Sequence, residues 1–457
     1  MKVNRRDFLK AISFGSAALA LQGCAKSYSF LSAITSKTKT NFVIVLCDDL
    51  GYGDLSCYGH PHIKTPNLDN LAAEGLKLTD CYAAAPVCSP ARAGILTGRT
   101  PYRCGIYDWI PHQSPMHLKT KEVTFAKLLK NAGYATCQIG KWHCNGDLNS
   151  PEYPQPNDHG FEYWLSTQDD AWPSHHNPDN FVRNGQPLGR LEGYSSQLIA
   201  QEAIDFLQKK WDRSKSFCLF VCFHAPHEPI VTAPEFLDMY KDKKEAEYYG
   251  NVTQMDYEFG RLMTQLDKMK LRDQTFVMFT SDNGPEILNR YPGAERSFGS
   301  PGPLRGMKLH MYEGGIRVPG IIRWPNHIKP GSVSQQPVNG TDVLPTLCSI
   351  AGLKLPVDRP IDGLDITPIF KDKKLKRKVP LYWRYDLALS EPFKVAMRQG
   401  DFKILADNKM TKFELYNLST DISEKNDLAE SESERLQAMR KTLIELHNEI
   451  DTQRPKW

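Results

Sequence analysis

The chain has 457 residues, enough to bury a large core and to hold one dominant domain with a smaller companion. Apolar residues at 40 % and charged residues at 24 % are ordinary globular values, which disfavours a disordered or membrane-embedded chain. The formal charge of +4 falls to about +1 once Lys2, Arg5, Arg6, Lys10 and Asp7 are set apart as a removable start, so charge makes no case for nucleic acid as a partner.

Residues 1–23 begin MKVNRRDFLK and continue as a weakly apolar stretch too short to cross a bilayer, which reads as a signal peptide. Arg5-Arg6 ahead of Asp7-Phe8-Leu9-Lys10 resembles a bacterial twin-arginine signal, and LQGC resembles a lipoprotein box in which Cys24 carries the lipid. These likenesses imply export of folded protein by the twin-arginine machinery, a linker over 24–39, and a lipid anchor as the sole membrane contact. The expected location is the bacterial cell envelope, periplasmic or anchored at the outer membrane. The eleven cysteines lack the spacing of a disulfide framework or a zinc ribbon, and Cys47, Cys137, Cys218 and Cys222 lie in apolar strand-like runs. Most read as buried thiols.

NFVIVLC (41–47) is a continuous β-branched run, the pattern of a strand buried on both faces, and it stops at Asp48-Asp49. Thr65-Pro66 opens a short helix with Thr65 as N-cap, and Gly75 closes it. In CSPARAGILTGR, Pro90 suits a first helical turn, so a helix from about Pro90 to Gly98 places Cys88 among free N–H groups with Arg92 one turn on. That is a setting for a reactive sulfur, although a lone cysteine is more often a small buried hydrophobe. A helix from Thr124 to Ala132 precedes the strand YATCQIG, which ends in Lys141-Trp142-His143. Residues 147–195 read as a long loop, either a substrate-recognition wall or solvated irregular surface, that exposes Asp169, Asp170, His175 and His176. A helix near 196–210 precedes SFCLFVCF, which ends in HAPHEP, and one near 245–270 precedes TFVMFTS, which ends in Asp282-Asn283-Gly284.

The basic run KDKKLKRK from residue 371 reads as a solvated boundary. Beyond it PLYWRY, FKVAMRQGDFKIL with a turn at Gln399-Gly400-Asp401, and KFELYNL read as antiparallel strands. A last helix from about 431 carries Leu436, Met439, Leu443, Leu446 and Ile450 as a packing stripe. The fold class is therefore α/β. A large, mainly parallel sheet flanked by helices occupies 40–375, and a smaller C-terminal α+β domain of antiparallel strands and a helix occupies 376–457.

Ligands bind beyond the carboxyl ends of parallel strands, and four strands here end in the polar clusters DD, KWH, HAPH and DN. Asp48, Asp49, Asp282 and Asn283 offer oxygen ligands alone, the donor set of a hard cation, Ca²⁺ ahead of Mg²⁺. Lys141 and His143, two apart on an extended segment, share a face. With His227 and Lys308 they surround the metal with two cations and two imidazoles. Such a site fits a multiply charged oxyanion.

CSPARAGILTGR resembles the signature of the type I sulfatases, C-x-P-x-R followed by LTGR. The likeness continues through NFVIVLCDDLGYGD, GKWH, HAPHEP, SDNG, PLRGMKLHMYEGGIRVPGIIRWP and ELYNLSTDISEKNDLAE. It implies an alkaline-phosphatase-like fold and oxidation of Cys88 to formylglycine by a maturation enzyme, in the cytoplasm if export is of folded protein. The hydrated formylglycine would attack sulfur and form a covalent sulfate hemiester. On this resemblance Asp48, Asp49, Asp282, Asn283 and residue 88 hold the cation. Arg92 and Lys141 steady the diol, and Lys141 and Lys308 the sulfate. His227, with Lys308, protonates the leaving alcohol, and His143 takes the proton that releases sulfate. The implied substrates are sulfated carbohydrates from polysaccharide or glycosaminoglycan breakdown, with aryl sulfates as surrogates. Two alternatives stay open: a phosphonate or phosphate ester hydrolase of the same superfamily, and a non-catalytic binder of sulfated glycans.

Overall fold

Strand β1 (Asn41–Cys47) is buried along its whole length, because a strand with helices on both faces has no solvent side. The computed structural model describes residues 39–457, so the signal-peptide and lipid-box readings at 1–23 and Cys24 lie outside the described residues. Along the chain follow β2 (Leu76–Leu78), β3 (Cys81–Tyr82), β4 (Ala135–Lys141), β5 (Tyr163–Thr167), β6 (Val182–Arg183) and β7 (Gln186–Pro187). After them come β8 (Phe217–Cys222), β9 (Thr275–Ser281), β10 (Gly320–Arg323), β11 (Ser332–Ser334) and β12 (Val338–Asn339). Ten strands form one sheet in the order β11-β2-β10-β9-β1-β8-β4-β5-β6-β7, while β3 pairs with β12. The centre, β9-β1-β8-β4-β5, is parallel throughout, and antiparallel β10 and β6 flank it to make the sheet mixed.

Helices α1 (Pro66–Ala73), α2 (Cys88–Thr97), α3 (Phe125–Asn131), α4 (Ser195–Asp205), α5 (Ala246–Lys268) and α6 (Val343–Ala351) cover the two faces. Alternation along β1 sorts them. Phe42, Ile44 and Leu46 share a core with Ile95, Leu96, Phe125 and Leu344 of α2, α3 and α6. Val43, Val45 and Cys47 share the opposite core with Leu68, Ile199, Val252 and Phe259 of α1, α4 and α5. Each such buried side chain contributes about 1.5–3 kcal/mol.

Toward the C-terminus, β13 (Leu381–Arg384), β14 (Phe393–Gln399), β15 (Phe402–Asp407) and β16 (Phe413–Asn417) form an antiparallel meander in that order. Helix α7 (Ser433–Gln453) lays Met439, Leu443, Leu446 and Ile450 against Val395, Met397, Ile404 and Leu415, as the three-and-four spacing predicts. The other face carries Trp383, Ala396 and Leu405 into a core with Tyr82, Met311, Ile316 and Cys88. Trp383 Nε1 donates to Ala83 O at 2.8 Å. Buried Lys403 lies 3.0 Å from Glu313 and 2.8 Å from Glu424. Thr40–Trp457 is thus one compact unit.

Local expectations are revised in five places. Residues 147–195 are not wholly loop: Tyr163–Thr167 is β5, paired parallel to β4. Its aromatic, sparsely alternating sequence between turns hid a buried strand. Thr65 occupies the N-cap position of α1 as expected, but its side chain makes no capping bond, because its hydroxyl is engaged by Ser56 and Asp69. Gly75 is required by a close approach rather than by a helix stop, since a Cβ there would lie 2.1 Å from Ile322 O of β10. Helix α2 starts at Cys88 itself, with Val87 extended and Ala91 N bonded to Val87 O. Within the basic run, Arg377 is not solvated: it bonds Asp342 at 2.5 Å, and Leu375 packs on the core.

Gly140 has φ +97°, and a Cβ there would fall 1.8 Å from Cys222 O on β8. Gly140→Ala must push β4 and β8 apart just before Lys141, with an expected loss of about 2–4 kcal/mol. Thermal unfolding followed by circular dichroism measures it, and an unchanged melting temperature would contradict the close approach.

Candidate active site

The polar clusters meet because the registers of the central strands agree. Cys47 pairs with Ser281, and Leu46 and Gly140 both pair with Cys222, so the chain leaves all four strands at one level. Asp49 N donates to Asp282 Oδ1 at 3.3 Å and Asn283 Nδ2 donates to Asp49 Oδ1 at 2.7 Å, joining the DD and DN turns. Asp49 (φ +61°) and His143 (φ +52°) both have left-handed backbone, which costs a non-glycine residue about 1–3 kcal/mol and marks a constrained site. The left-handed turn at His143 corrects one expectation. Strand β4 ends at Lys141, so Lys141 and His143 do not share the face of an extended segment.

Arg92 reaches inward from α2. Its Nε and Nη2 donate to Asp282 Oδ2 at 3.0 and 2.7 Å, and its Nη1 donates to Lys141 O at 2.9 Å. Lys141 Nζ lies 2.5 Å from Asp48 Oδ2 and 2.8 Å from Asp170 Oδ1. Lys308 Nζ lies 2.8 Å from Asp49 Oδ2 and 3.4 Å from Glu286. His227 Nε2 faces Asp49 Oδ2 at 3.5 Å, and its Nδ1 contacts Glu228 O at 2.5 Å. His143 Nε2 contacts Ile110 O at 3.2 Å, while its buried Nδ1 has no hydrogen-bond partner. Each of these carbonyls can only accept, so Nδ1 carries the proton in His227 and Nε2 carries it in His143.

Burial opposes ionisation throughout the site, and the neighbours decide the outcome. Burial raises the Asp48 carboxyl, but Lys141, His227 and Arg92 together hold it well below the usual carboxylate range. Burial and the Asp48 charge push Asp282 up to about 7. Burial disfavours the charge of Lys141, which Asp170 and Asp48 restore. Burial and the Lys141 charge hold His143 well below the ordinary imidazole range, whereas Asp170 and Asp49 outweigh burial and raise His227. Burial also pushes the Cys88 thiol up to about 12, against the pull of Lys141 and Lys308. Despite its place at the start of α2, burial thus favours the protonated sulfur.

Oxygens of Asp48, Asp49 and Asp282 lie within 4.8 Å of one another. Asp48 Oδ1 and Asn283 Oδ1 are buried with no hydrogen-bond partner. Crowded carboxylates, one forced toward protonation, and two bare acceptors form a donor set that fits a hard divalent cation. The sequence reading missed one member of the site. Asp170, expected on an exposed loop, contacts both Lys141 and His227 with a side chain only 13 % exposed. Once YWLST is seen as a strand, Gln168-Asp169-Asp170 becomes a fifth polar cluster at a carboxyl end, which was the available signal. His175 is buried and only His176 is exposed. The ten cysteines among the described residues are all free.

The family described as Sulfatase matches residues 40–353, and that described as N-sulphoglucosamine sulphohydrolase, C-terminal, matches 307–454. The chain is 36 % identical over 371 residues to the N-acetylgalactosamine-6-sulfatase of Sus scrofa, an alignment spanning 75 % of this chain and 68 % of that one. It is 34 % identical over 421 residues to the steryl-sulfatase of Rattus norvegicus, spanning 75 % and 72 %. The structure of Ps i-CgsB in complex with k-i-k-neocarrahexaose superimposes with a TM-score of 0.80 at 27 % identity, covering 92 % of this chain and 94 % of that one. The protein belongs to the sulfatase family. It is an enzyme, and its reaction is the hydrolysis of sulfate esters.

Arg92 is the partner that keeps Asp282 compatible with burial. Arg92→Gln strands that carboxylate and is expected to cost about 3–5 kcal/mol in urea unfolding of the metal-free protein. A loss below 1 kcal/mol would show that Asp282 takes up a proton at no expense.

Proposed function

We propose that this sulfatase removes sulfate from sulfated carbohydrates, using formylglycine derived from Cys88 and one divalent cation, Ca²⁺ ahead of Mg²⁺. The observation that carries the reading is the gathering of an all-oxygen cluster, three permanent cations and two oppositely biased histidines around one buried residue, Cys88. Asp48, Asp49, Asp282 and Asn283 would hold the cation, which supplies Lewis-acid polarisation of the sulfate and of the nucleophile. Formylglycine, made by a maturation enzyme, supplies an oxygen nucleophile at a position where the thiol itself stays protonated.

The remaining chemistry belongs to the side chains. Arg92, clamped to Asp282, fixes a positive charge one turn along α2 from position 88. Lys141 and Lys308 bring buried ammonium groups to bear on the sulfate oxygens, where a low dielectric strengthens them. The opposite shifts of the two imidazoles separate acid from base. His227, with Nδ1–H turned to Glu228 O, keeps its exchangeable proton on Nε2 and protonates the leaving oxygen. His143, with Nε2–H turned to Ile110 O, offers a bare Nδ1 that accepts a proton on the nucleophile side.

For the substrate, sugar-directed relatives support carbohydrate sulfates. So do the half-exposed indoles of Trp109, next to Ile110 in the chain, and of Trp172, whose Nε1 donates to Asp169 Oδ1, both of which offer flat amphipathic faces. The N-terminal motifs support twin-arginine export and a lipid-anchored place in the cell envelope.

Protein co-expressed with a maturation enzyme should release sulfate from one or more members of a panel of sulfated mono- and disaccharides, and Cys88→Ala should fall to background. Phosphate esters cleaved faster than matched sulfate esters would favour the phosphoester alternative. Mass spectrometry of the Cys88 peptide from active enzyme must show loss of the thiol; an intact cysteine there would refute the nucleophile. Chelation should lower the melting temperature and abolish turnover. Ca²⁺ at a hundred times its Kd should restore about 2.7 kcal/mol, and a chelator without effect would remove the cation from the reading.

A further inference from the structure

Asp170 is a charged group in the site that the reaction outlined above leaves without a task. One oxygen, Oδ1, meets two side chains with different work: Lys141 Nζ at 2.8 Å and His227 Nδ1 at 3.3 Å. The chain presents it on a supported backbone. Trp142 N and His143 N donate to Thr167 O and Gln168 O, so the segment after β5 stays joined to the segment after β4. Asn180 Nδ2 then donates to Asp170 O at 2.7 Å, while Asn180 Oδ1 accepts from Trp172 N. Asp48, Asp170 and His227 lie close enough to share a cation. The ammonium of Lys141, 2.5 Å from Asp48 and 2.8 Å from Asp170, already serves as that charge.

We propose that Asp170 is a positioning residue for ester cleavage, spacing the Lys141 ammonium from the His227 imidazole and fixing the ring so that Nε2 faces the departing oxygen. The inference rests on the acid role given to His227. Two neighbouring cationic donors would repel each other, and a shared acceptor holds both. Nδ1–H is bonded to Glu228 O while Asp170 Oδ1 lies 3.3 Å from the same nitrogen as its counter-charge, so the ring is held from one side and Nε2 is directed toward Asp49 and the cation cluster. As the sulfur–oxygen bond of the ester breaks, the departing oxygen takes the Nε2 proton and leaves as an alcohol, and the sulfuryl group passes to the attacking nucleophile.

The test compares matured, calcium-loaded wild type with Asp170→Asn and Asp170→Ala on two esters, a sugar monosulfate that the wild type cleaves and 4-nitrophenyl sulfate. The sugar alkoxide leaves only with a proton, whereas nitrophenolate leaves without one. Both variants should lose about 100-fold in kcat on the sugar ester and less than about tenfold on the aryl ester, the size and selectivity of lost general-acid help. KM should stay within about threefold of wild type, and in a His227→Ala background Asp170→Asn should add almost nothing. Equal losses on both esters would overturn the proposal in favour of a purely structural ion pair. A raised KM with intact kcat would overturn it by making Asp170 a direct substrate contact, and full activity of both variants would leave Asp170 no role. Sulfate release that survives Cys88→Ala would instead overturn the functional reading, so the two failures are distinguishable.

Discussion

Taking a carboxylate out of water costs several kcal/mol unless a counter-charge comes with it, and this protein buries Asp48, Asp49, Asp170 and Asp282 at one end of one sheet. Much of the layout around them follows from that constraint. Arg92 comes from a helix, Lys141 from the last residue of a strand and Lys308 from a long connection, yet each ends within 3 Å of a carboxylate oxygen. The compensation is incomplete. Asp282 is pushed toward neutrality, and Asp48 and Asn283 keep bare oxygens. A protein that needed only stability would have replaced such a cluster with apolar side chains, so the residual imbalance is the feature that asks for a ligand.

The second sheet is part of this arrangement. Residue 88 lies in a core to which β13–β16 contribute Leu381, Trp383, Phe393, Ala396, Leu405 and Tyr416, with Trp383 tied to Ala83 just upstream. The Lys308 connection is laced to the same surfaces: Leu309 N donates to Pro86 O, and Leu389 N donates to Leu309 O. Lys403 crosses from β15 to the carboxylate of Glu313. The position of residue 88 therefore depends on residues some three hundred positions later in the chain. That dependence accords with a family match that runs to residue 454 rather than ending with the first sheet.

The sequence reading captured what depends on strong periodicity and on residue chemistry. The buried strands, the stripe on α7, the four polar strand ends and the oxygen-only donor set were all legible, because each is written in a short contiguous stretch. Asp170 was not. Its strand is brief and aromatic, and the carboxylate makes sense only once Lys141 and His227 are placed beside it by pairing across the sheet. The tautomers of the two imidazoles were likewise hidden, set by backbone carbonyls at Ile110 and Glu228 that no side-chain motif records. Thr65, Gly75 and Arg377 failed for a related reason: tertiary neighbours overrode the local preference of each.

The burial of these charged groups also separates two effects of ionic strength. Mobile ions weaken interactions between exposed charges over a distance of about 8 Å at physiological salt, but they screen far less a cluster whose members are almost wholly shielded from solvent. Salt thus acts on the approach of an anionic substrate and leaves nearly untouched the balance of charge that receives it.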